Sequence, residues 1–250
     1  MSNNVSFGFK KVAQNVKSKL VGEVFSSVAG KYDMMNDLMS FGVHRLWKDK
    51  LVQEAFLKDG MKIVDMAGGT GDIAFRLYKK LYNYYKDYEI IVADFNKEML
   101  GAGKNRFIDK NIIDSNIKWE VEDGENTSFK NDEFDLYTIA YGIRNFANIE
   151  GGLKEAYRIL KPGGQFLCLE FSSVDNNFLK KFYDFYSFNV IPKIGEVVTN
   201  DRASYQYFVE SIRMFPKPEE FTEMIRKIGF KQARCENLTG GITTLYVAYK

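Results

Sequence analysis

The sequence predicts a single α/β domain of the Rossmann-like kind, a mostly parallel sheet with helices on both faces. Two observations carry the prediction. The stretch Lys62–Asp72, K-I-V-D-M-A-G-G-T-G-D, joins a short apolar run to a glycine loop and then to helical spacing, which is the first half of a βαβ nucleotide site. Apolar runs ending in an acid or a turn then alternate with helical patterns to the end of the chain, with no repeat and no linker. At 250 residues, 45% hydrophobic and 27% charged, the chain is long enough for one large core.

Composition excludes several classes. A net charge of +2 from 35 basic and 33 acidic residues produces no global field, so nucleic acid is not indicated as a partner. Two cysteines and one histidine cannot build the usual zinc sites, and Cys168 lies in an apolar run, so no metal and a reducing compartment are expected. No window approaches the roughly 18 uninterrupted apolar residues of a membrane span, and the N-terminus lacks an apolar signal core. The 15 tyrosines and 21 phenylalanines fit either an apolar pocket or an AT-rich coding bias.

Residues 1–23 are polar and basic and predict a loosely attached arm, with Phe7, Phe9 and Val12 as the positions that could tie it down. Residues 24–60 predict a helical cap over the glycine loop, since apolar positions recur at helical intervals and Asp, Asn, Ser and Gly punctuate the turns. By composition, His44 and Trp47 within it are structural. The core is expected over 61–250.

In the glycine loop, Gly68, Gly69 and Gly71 permit a sharp turn and close approach of a ligand to the backbone. Ile73, Ala74 and Leu77 form the buried face of the following helix. Gly69-x-Gly71-x-x-Ala74 formally fits a dinucleotide fingerprint. A pyrophosphate at this helix N-terminus would lie between Asp65 and Asp72, and like charges oppose it there. S-adenosylmethionine, with a sulfonium, an ammonium and a ribose, suits these acids better. A glycine turn with no ligand is the bland alternative.

Glu89–Asp94 is a second strand, and Asp94 stands about 20 residues past the glycines, where a carboxylate takes both ribose hydroxyls. It also reads as a helix cap before Lys97. Ile117–Glu122 alternates as a third strand and leaves Asp123-Gly124 at its end, a turn signal by spacing. Phe134–Ala140 is the fourth strand, followed at once by Tyr141-Gly142-Ile143-Arg144-Asn145 at the sheet edge where ligands gather. Gly151–Leu160 is a helix, Lys161–Gly164 a turn and Gln165–Phe171 a buried fifth strand with Glu170 near its end. Phe178–Ile191 is an aromatic helix that suits core packing or, with Tyr205, Tyr207 and Phe208 in a lid region of about 178–212, an apolar wall. Pro218–Ile228 is a helix stopped by Gly229, and Phe230–Asn237 with Thr243–Tyr249 makes a closing hairpin.

The segment Tyr32–Trp47 resembles the first signature of the ubiquinone/menaquinone biosynthesis C-methyltransferase family, whose glycine loop also has the form A-G-G-T-G. Gly142-Ile143-Arg144-Asn145, Tyr157–Gly164 with Leu169–Ser172, and Tyr205-x-Tyr207-x-x-Glu210-Ser211-Ile212 agree with it. The resemblance runs from about residue 24 to the end. Asp123-Gly124 stands where many members have Asn-Ala, and Ala140 where many have Ser.

This resemblance implies a class I S-adenosylmethionine-dependent methyltransferase fold, a seven-stranded mixed sheet of order 3-2-1-4-5-7-6. It implies C-methylation of a polyprenylated benzoquinol on the way to ubiquinone, and in some members of demethylmenaquinol. Asp65, Gly69, Thr70, Gly71, Asp94, Asp123, Gly124 and Ala140 are the cofactor-binding set it marks, with Asp123 set to accept from the adenine amino group. Arg144 is the candidate donor to a quinol oxyanion, because a guanidinium stays charged and presents a fixed fork. Tyr32 and Asn145 are candidates to orient the ring or the methionine end. His44 is the one side chain whose unperturbed pKa suits proton removal near neutrality, and the general base stays unassigned. A nicotinamide oxidoreductase and a noncatalytic scaffold are the other classes; the scaffold would lack the acids Asp65, Asp72 and Asp94. The substrate tail implies peripheral membrane contact, and a homodimer or a quinone-biosynthesis complex is an open partner. If Met1 is the true start, the bacterial cytoplasm is expected, and the matrix side of the mitochondrial inner membrane if it is not.

Overall fold

The structure is a computed structural model in which residues 4–28, 37, 40, 42–172 and 202–250 are described. Tyr32 and the aromatic stretch Phe178–Ile191 lie outside the described residues.

Seven strands form one sheet: β3 (Met61–Met66), β4 (Tyr88–Asp94), β5 (Ile117–Val121), β6 (Phe134–Ala140), β7 (Leu160–Phe171), β8 (Lys231–Leu238) and β9 (Thr243–Tyr249). Their order is β5-β4-β3-β6-β7-β9-β8, the order implied by the family resemblance. The first five run parallel, and β9 is antiparallel to both β7 and β8. Parallel central strands are covered on both faces, and their side chains alternate accordingly. Ile63, Ile90, Val92 and Leu136 point into one layer with Trp47, Leu51, Leu77 and Phe208. Val64, Ile91, Tyr137 and Ile139 point into the other with Leu153, Ile159, Phe221 and Ile225.

The helices that supply those layers are α2 (His44–Glu54), α3 (Asp72–Tyr84), α4 (Lys97–Asp109), α5 (Ile149–Ile159), α6 (Arg202–Met214) and α7 (Pro218–Ile228). Tyr205 and Phe208 of the expected apolar wall belong to the buried core on α6. Trp47 is structural, as composition indicated: its indole N–H donates to Thr239 Oγ1 at 2.8 Å, tying α2 to the closing hairpin.

Two expectations are corrected. Lys161–Gly164 is not a free turn but a bulge within β7, since Phe134 pairs with Leu160 while Leu136 pairs with Gln165. Gly163, at φ 79°, permits the bulge, and its N–H donates to the carbonyl of Lys250. Nor is the N-terminus a loose arm. Strands β1 (Asn4–Phe7) and β2 (Lys10–Ala13) form an antiparallel hairpin that runs into helix α1 (Gln14–Val28). Phe7 stacks on Tyr207 of α6 at 4.2 Å between ring centroids. The backbone N–H of Phe9 donates to Glu210 Oε2 at 3.0 Å, while its ring stays exposed. Gly8, at φ 58°, lets that carboxylate approach, because a Cβ there would lie 2.3 Å from Glu210 Oε2.

Candidate active site

Strand β3 ends at Met66 and the chain turns through Ala67 (φ 50°), Gly69 (φ 54°) and Gly71 (φ 74°) into α3. Packing accounts for the glycines as much as ligand approach does. A Cβ at Gly68 would come within 2.7 Å of Val92 Cγ1 and 2.8 Å of the Asp65 carbonyl. A Cβ at Gly71 would lie 2.7 Å from Trp119 Cη2 and 3.0 Å from Phe107. The loop is thus pressed onto β4, β5 and α4, which holds its free face open at the C-terminal edge of the sheet.

A cavity of about 1020 Å³, counting the space open to solvent at its mouth, lies over that face. Seven of the eight cofactor-binding residues expected from the sequence line it, Asp65, Gly69, Thr70, Asp94, Asp123, Gly124 and Ala140, and Gly71 does not. Asp94 Oδ2 accepts from the Gly69 N–H at 2.9 Å and Oδ1 from the Asn96 N–H at 2.8 Å, so one carboxylate joins the glycine loop to the start of α4. Asp65 accepts from the Ala74 N–H at 3.2 Å and the Thr138 hydroxyl at 2.9 Å. Burial pushes the Asp65 carboxyl up to about 7 and the Asp94 carboxyl up to about 6, and among the described residues no cation pairs with either. Asp123 is exposed at the mouth, its Oδ1 accepting from the Glu125 N–H, while Gly124 is pressed on Phe146.

Asp72 differs from the sequence expectation. Although burial pushes its pKa upward, Lys48, Arg76 and Arg106 outweigh it and hold the carboxyl below its ordinary value. Lys48 Nζ lies 2.8 Å away and the two guanidinium contacts are at 3.6 and 3.7 Å. The charge argument against a pyrophosphate therefore passes to Asp65 and Asp94. A buried and a half-buried acid with no described cation beside them fit a ligand that donates hydrogen bonds or carries positive charge, as the ammonium and ribose hydroxyls of S-adenosylmethionine do. Among the described residues, no group of three or more His, Cys, Asp or Glu side chains is arranged to hold a metal.

The sequence reading missed one wall. Ser18, Val21, Gly22 and Phe25 of α1 line the cavity, as do Asn96 and Met99. Asn96 binds α1 to the site: its Nδ2 donates to Ser26 Oγ at 2.9 Å and to the Gly22 carbonyl at 3.2 Å, while Oδ1 caps α4. The i, i+4 pair Val21 and Phe25 was the available signal for this helix.

Tyr141-Gly142 and Asn145 complete the cavity on the β6 side. Asn145 Oδ1 accepts from the Tyr207 hydroxyl at 3.0 Å. Arg144, the expected donor to a quinol oxygen, is held in the fold by several contacts of its own. Its Nη1 lies 2.8 Å from Glu170 Oε1 and also donates to the Tyr141 carbonyl, and its Nε donates to Ser211 Oγ at 3.2 Å. The guanidinium sits 4.6 Å over the Phe208 ring, and both members of the ion pair are buried. Among the described residues only Nη2 makes no hydrogen bond. Arg144 lines a second cavity, bounded by the N-terminal hairpin, α6 and the start of α5. His44 is buried beside Ser40, whose Oγ lies 2.8 Å from Nδ1, and burial with Lys48 nearby lowers its pKa to about 4, so it is neutral at physiological pH.

Solved structures of similar architecture include an S-adenosylmethionine-dependent methyltransferase from Aquifex aeolicus, TM-score 0.61 at 14% identity, covering 86% of this chain and 96% of that one. Phosphoethanolamine N-methyltransferase 2 of Haemonchus contortus with S-adenosyl-L-methionine aligns at TM-score 0.60 and 16% identity, over 83% of this chain and 52% of that one. These likenesses establish the class I fold. The ubiquinone/menaquinone biosynthesis C-methyltransferase UbiE of Rickettsia bellii is 49% identical over 99% of both chains. The mitochondrial 2-methoxy-6-polyprenyl-1,4-benzoquinol methylase of Oryza sativa is 49% identical over 100% of this chain and 89% of its own. The model of the ubiE/COQ5 methyltransferase family matches residues 13–250. With that match spanning all but the first hairpin, the chain belongs to the ubiE/COQ5 methyltransferase family.

Proposed function

We propose that this chain methylates a ring carbon of a polyprenylated benzoquinol with S-adenosylmethionine as donor, a step toward ubiquinone, and that demethylmenaquinol is a second substrate class. The observation that carries the cofactor is the pair of acids beside the glycine loop, buried Asp65 and half-buried Asp94, neither with a cation among the described residues. The substrate rests on the names of relatives that share about half of their residues with this chain along its length.

S-adenosylmethionine supplies an electrophilic methyl on a sulfonium. The chain's own residues position and polarise. Asp94 offers its carboxylate to ribose hydroxyls while its two backbone contacts fix the loop. Asp65 faces the positive end of the ligand, and Asp123 at the mouth suits an adenine amino group. A quinol ring carbon becomes nucleophilic as a ring hydroxyl loses its proton, and a preorganised donor stabilises the growing charge. Arg144 has one nitrogen, Nη2, to offer that oxygen, and Asn145 is oriented by Tyr207. His44 is neutral but committed to Ser40, and the general base stays unassigned.

The tail requires an apolar surface, so we read the protein as acting at a membrane face. Among the described residues no helix is long and apolar enough to cross a membrane. Quinone profiling by mass spectrometry in a deletion strain carrying this chain tests the reading: accumulation of the unmethylated benzoquinol would refute it. Calorimetry tests the cofactor half, with Asp94→Ala expected to weaken S-adenosylmethionine by about 1.5–3 kcal/mol, the range for hydrogen bonds to a charged acceptor. Unchanged affinity would remove the ribose assignment.

A further inference from the structure

Lys17 is a buried cation with no carboxylate in contact among the described residues. It projects from α1, and its Nζ donates to the Phe146 carbonyl at 2.6 Å and to the Arg144 carbonyl at 3.5 Å. Lysine is rarely buried without an ion-pair partner, because desolvating an ammonium is costly. The two carbonyls flank Asn145, which lines the cofactor cavity, and α1 supplies the opposite wall of that cavity. We propose that Lys17 is a positioning residue, whose ammonium ties α1 to the backbone on both sides of Asn145 and so sets the two walls of the cofactor cavity against each other.

The surroundings of the ammonium agree with this assignment. The segment it holds is fastened elsewhere by acids: Glu170 accepts from the Arg144 N–H, and Glu125 accepts from the N–H groups of Ala147 and Asn148. Lys17 is the fastening that comes from the N-terminal segment, and the Asn96 bonds to Gly22 and Ser26 fasten the same helix further along, at the cavity wall. Tyr207, which orients Asn145, is in turn stacked on Phe7, so helix and hairpin converge on one residue. The charged groups facing Lys17 are Glu125, which favours the ammonium, and Arg144, which opposes it; Glu150 lines the same second cavity. Burial prevails and lowers the Lys17 pKa to about 8, so the charge-assisted donor weakens within the working range of pH. A lysine kept only for packing would be served as well by methionine.

The cofactor and turnover readouts rest on the proposed function; the exchange readout does not. Lys17→Met is compared with wild type by hydrogen exchange on the ligand-free protein, by calorimetry with S-adenosylmethionine at pH 7 and pH 9, and by kcat against pH. Expected are faster exchange across 14–28 and 143–146, and affinity weaker by roughly 10- to 100-fold at pH 7, the scale of one hydrogen bond from a charged donor. Wild type should lose more affinity and kcat between pH 7 and 9 than Lys17→Met, which serves as baseline because the cofactor's own ammonium titrates at about 8. Should Lys17→Met fold poorly, the wild-type pH dependence of exchange across 14–28, corrected for intrinsic rates, decides alone. Equal exchange in the two proteins, or parallel pH profiles, overturns the assignment. Failure of wild type to bind S-adenosylmethionine would instead overturn the proposed function, leaving the exchange comparison to carry or overturn the role of Lys17.

Discussion

Replacing Arg144 by methionine would leave Glu170 buried with no counter-charge. The carboxylate would keep the N–H groups of Phe171 and residue 144 as donors and lose the guanidinium at 2.8 Å. Breaking a buried pair by removing one partner costs roughly 3–5 kcal/mol. The lost Ser211 and Tyr141 contacts and the guanidinium over Phe208 place the expected loss in the upper half of that range. In a domain of this size, each kcal/mol moves the melting temperature by about 2–4 °C, so a fall of roughly 8–20 °C is expected. Glu170→Gln in the same chain removes the stranded charge and should recover a large part. Urea unfolding of wild type, both single variants and the double variant closes the cycle, and a coupling of about 1–3 kcal/mol is expected. A loss below about 1 kcal/mol in Arg144→Met, with no coupling to Glu170, would refute the structural role of the pair.

Asp65 and Asp94 are raised in the folded state, so the ligand-free protein binds more protons than the unfolded chain between about pH 4 and pH 7. Their contribution is present below that window and lost as pH rises through it; urea unfolding at pH 5 and 7.5 should show the decline, and Asp65→Asn should flatten it. Binding of S-adenosylmethionine near pH 6 should release protons, which calorimetry in buffers of different ionisation enthalpy detects, and zero release would refute the pairing. Gly71→Ala should destabilise by about 1–3 kcal/mol through overpacking on Trp119, beyond the strain of its positive φ, measured as a drop in melting temperature that Trp119→Leu partly reverses. The single histidine should show no protonation above pH 5 by NMR, given a pKa lowered to about 4; titration near 6.5 would contradict its burial beside Lys48.

Much of the sheet was legible because its information is local. Apolar runs such as Ile63–Val64 and Ile90–Ala93 mark strands covered on both faces, and the acids Asp65 and Asp94 close them where the ligand edge begins. The cofactor cavity was legible for the same reason, since glycines and acids at strand ends are spaced along single segments. What was not legible depends on residues distant in sequence. Asp72 looked like a ligand acid until Lys48, Arg76 and Arg106 from three helices closed on it. Arg144 and Glu170 could be placed at one sheet edge from their strand ends, but the Ser211 and Phe208 contacts from α6 that fix the guanidinium could not. The N-terminal segment looked loose because its burial rests on specific polar contacts, Lys17 on carbonyls and Gly8 around Glu210, and not on an apolar stripe.

The contact between the glycine loop and Trp119 also gives the protein an optical probe of its own. The indole lies against both Gly71 and Gly103, with Phe107 edge-on at 5.1 Å, directly behind the loop that faces the cavity. The chain has two tryptophans, and the other, Trp47, is buried and held by Thr239 of the closing hairpin. A shift of the loop on cofactor binding would alter the packing of Trp119, while the Thr239 bond holds Trp47 away from the loop contact. Emission recorded with Trp47→Phe isolates the responsive fluorophore, so that rates of cofactor exchange are open to stopped-flow measurement without a label.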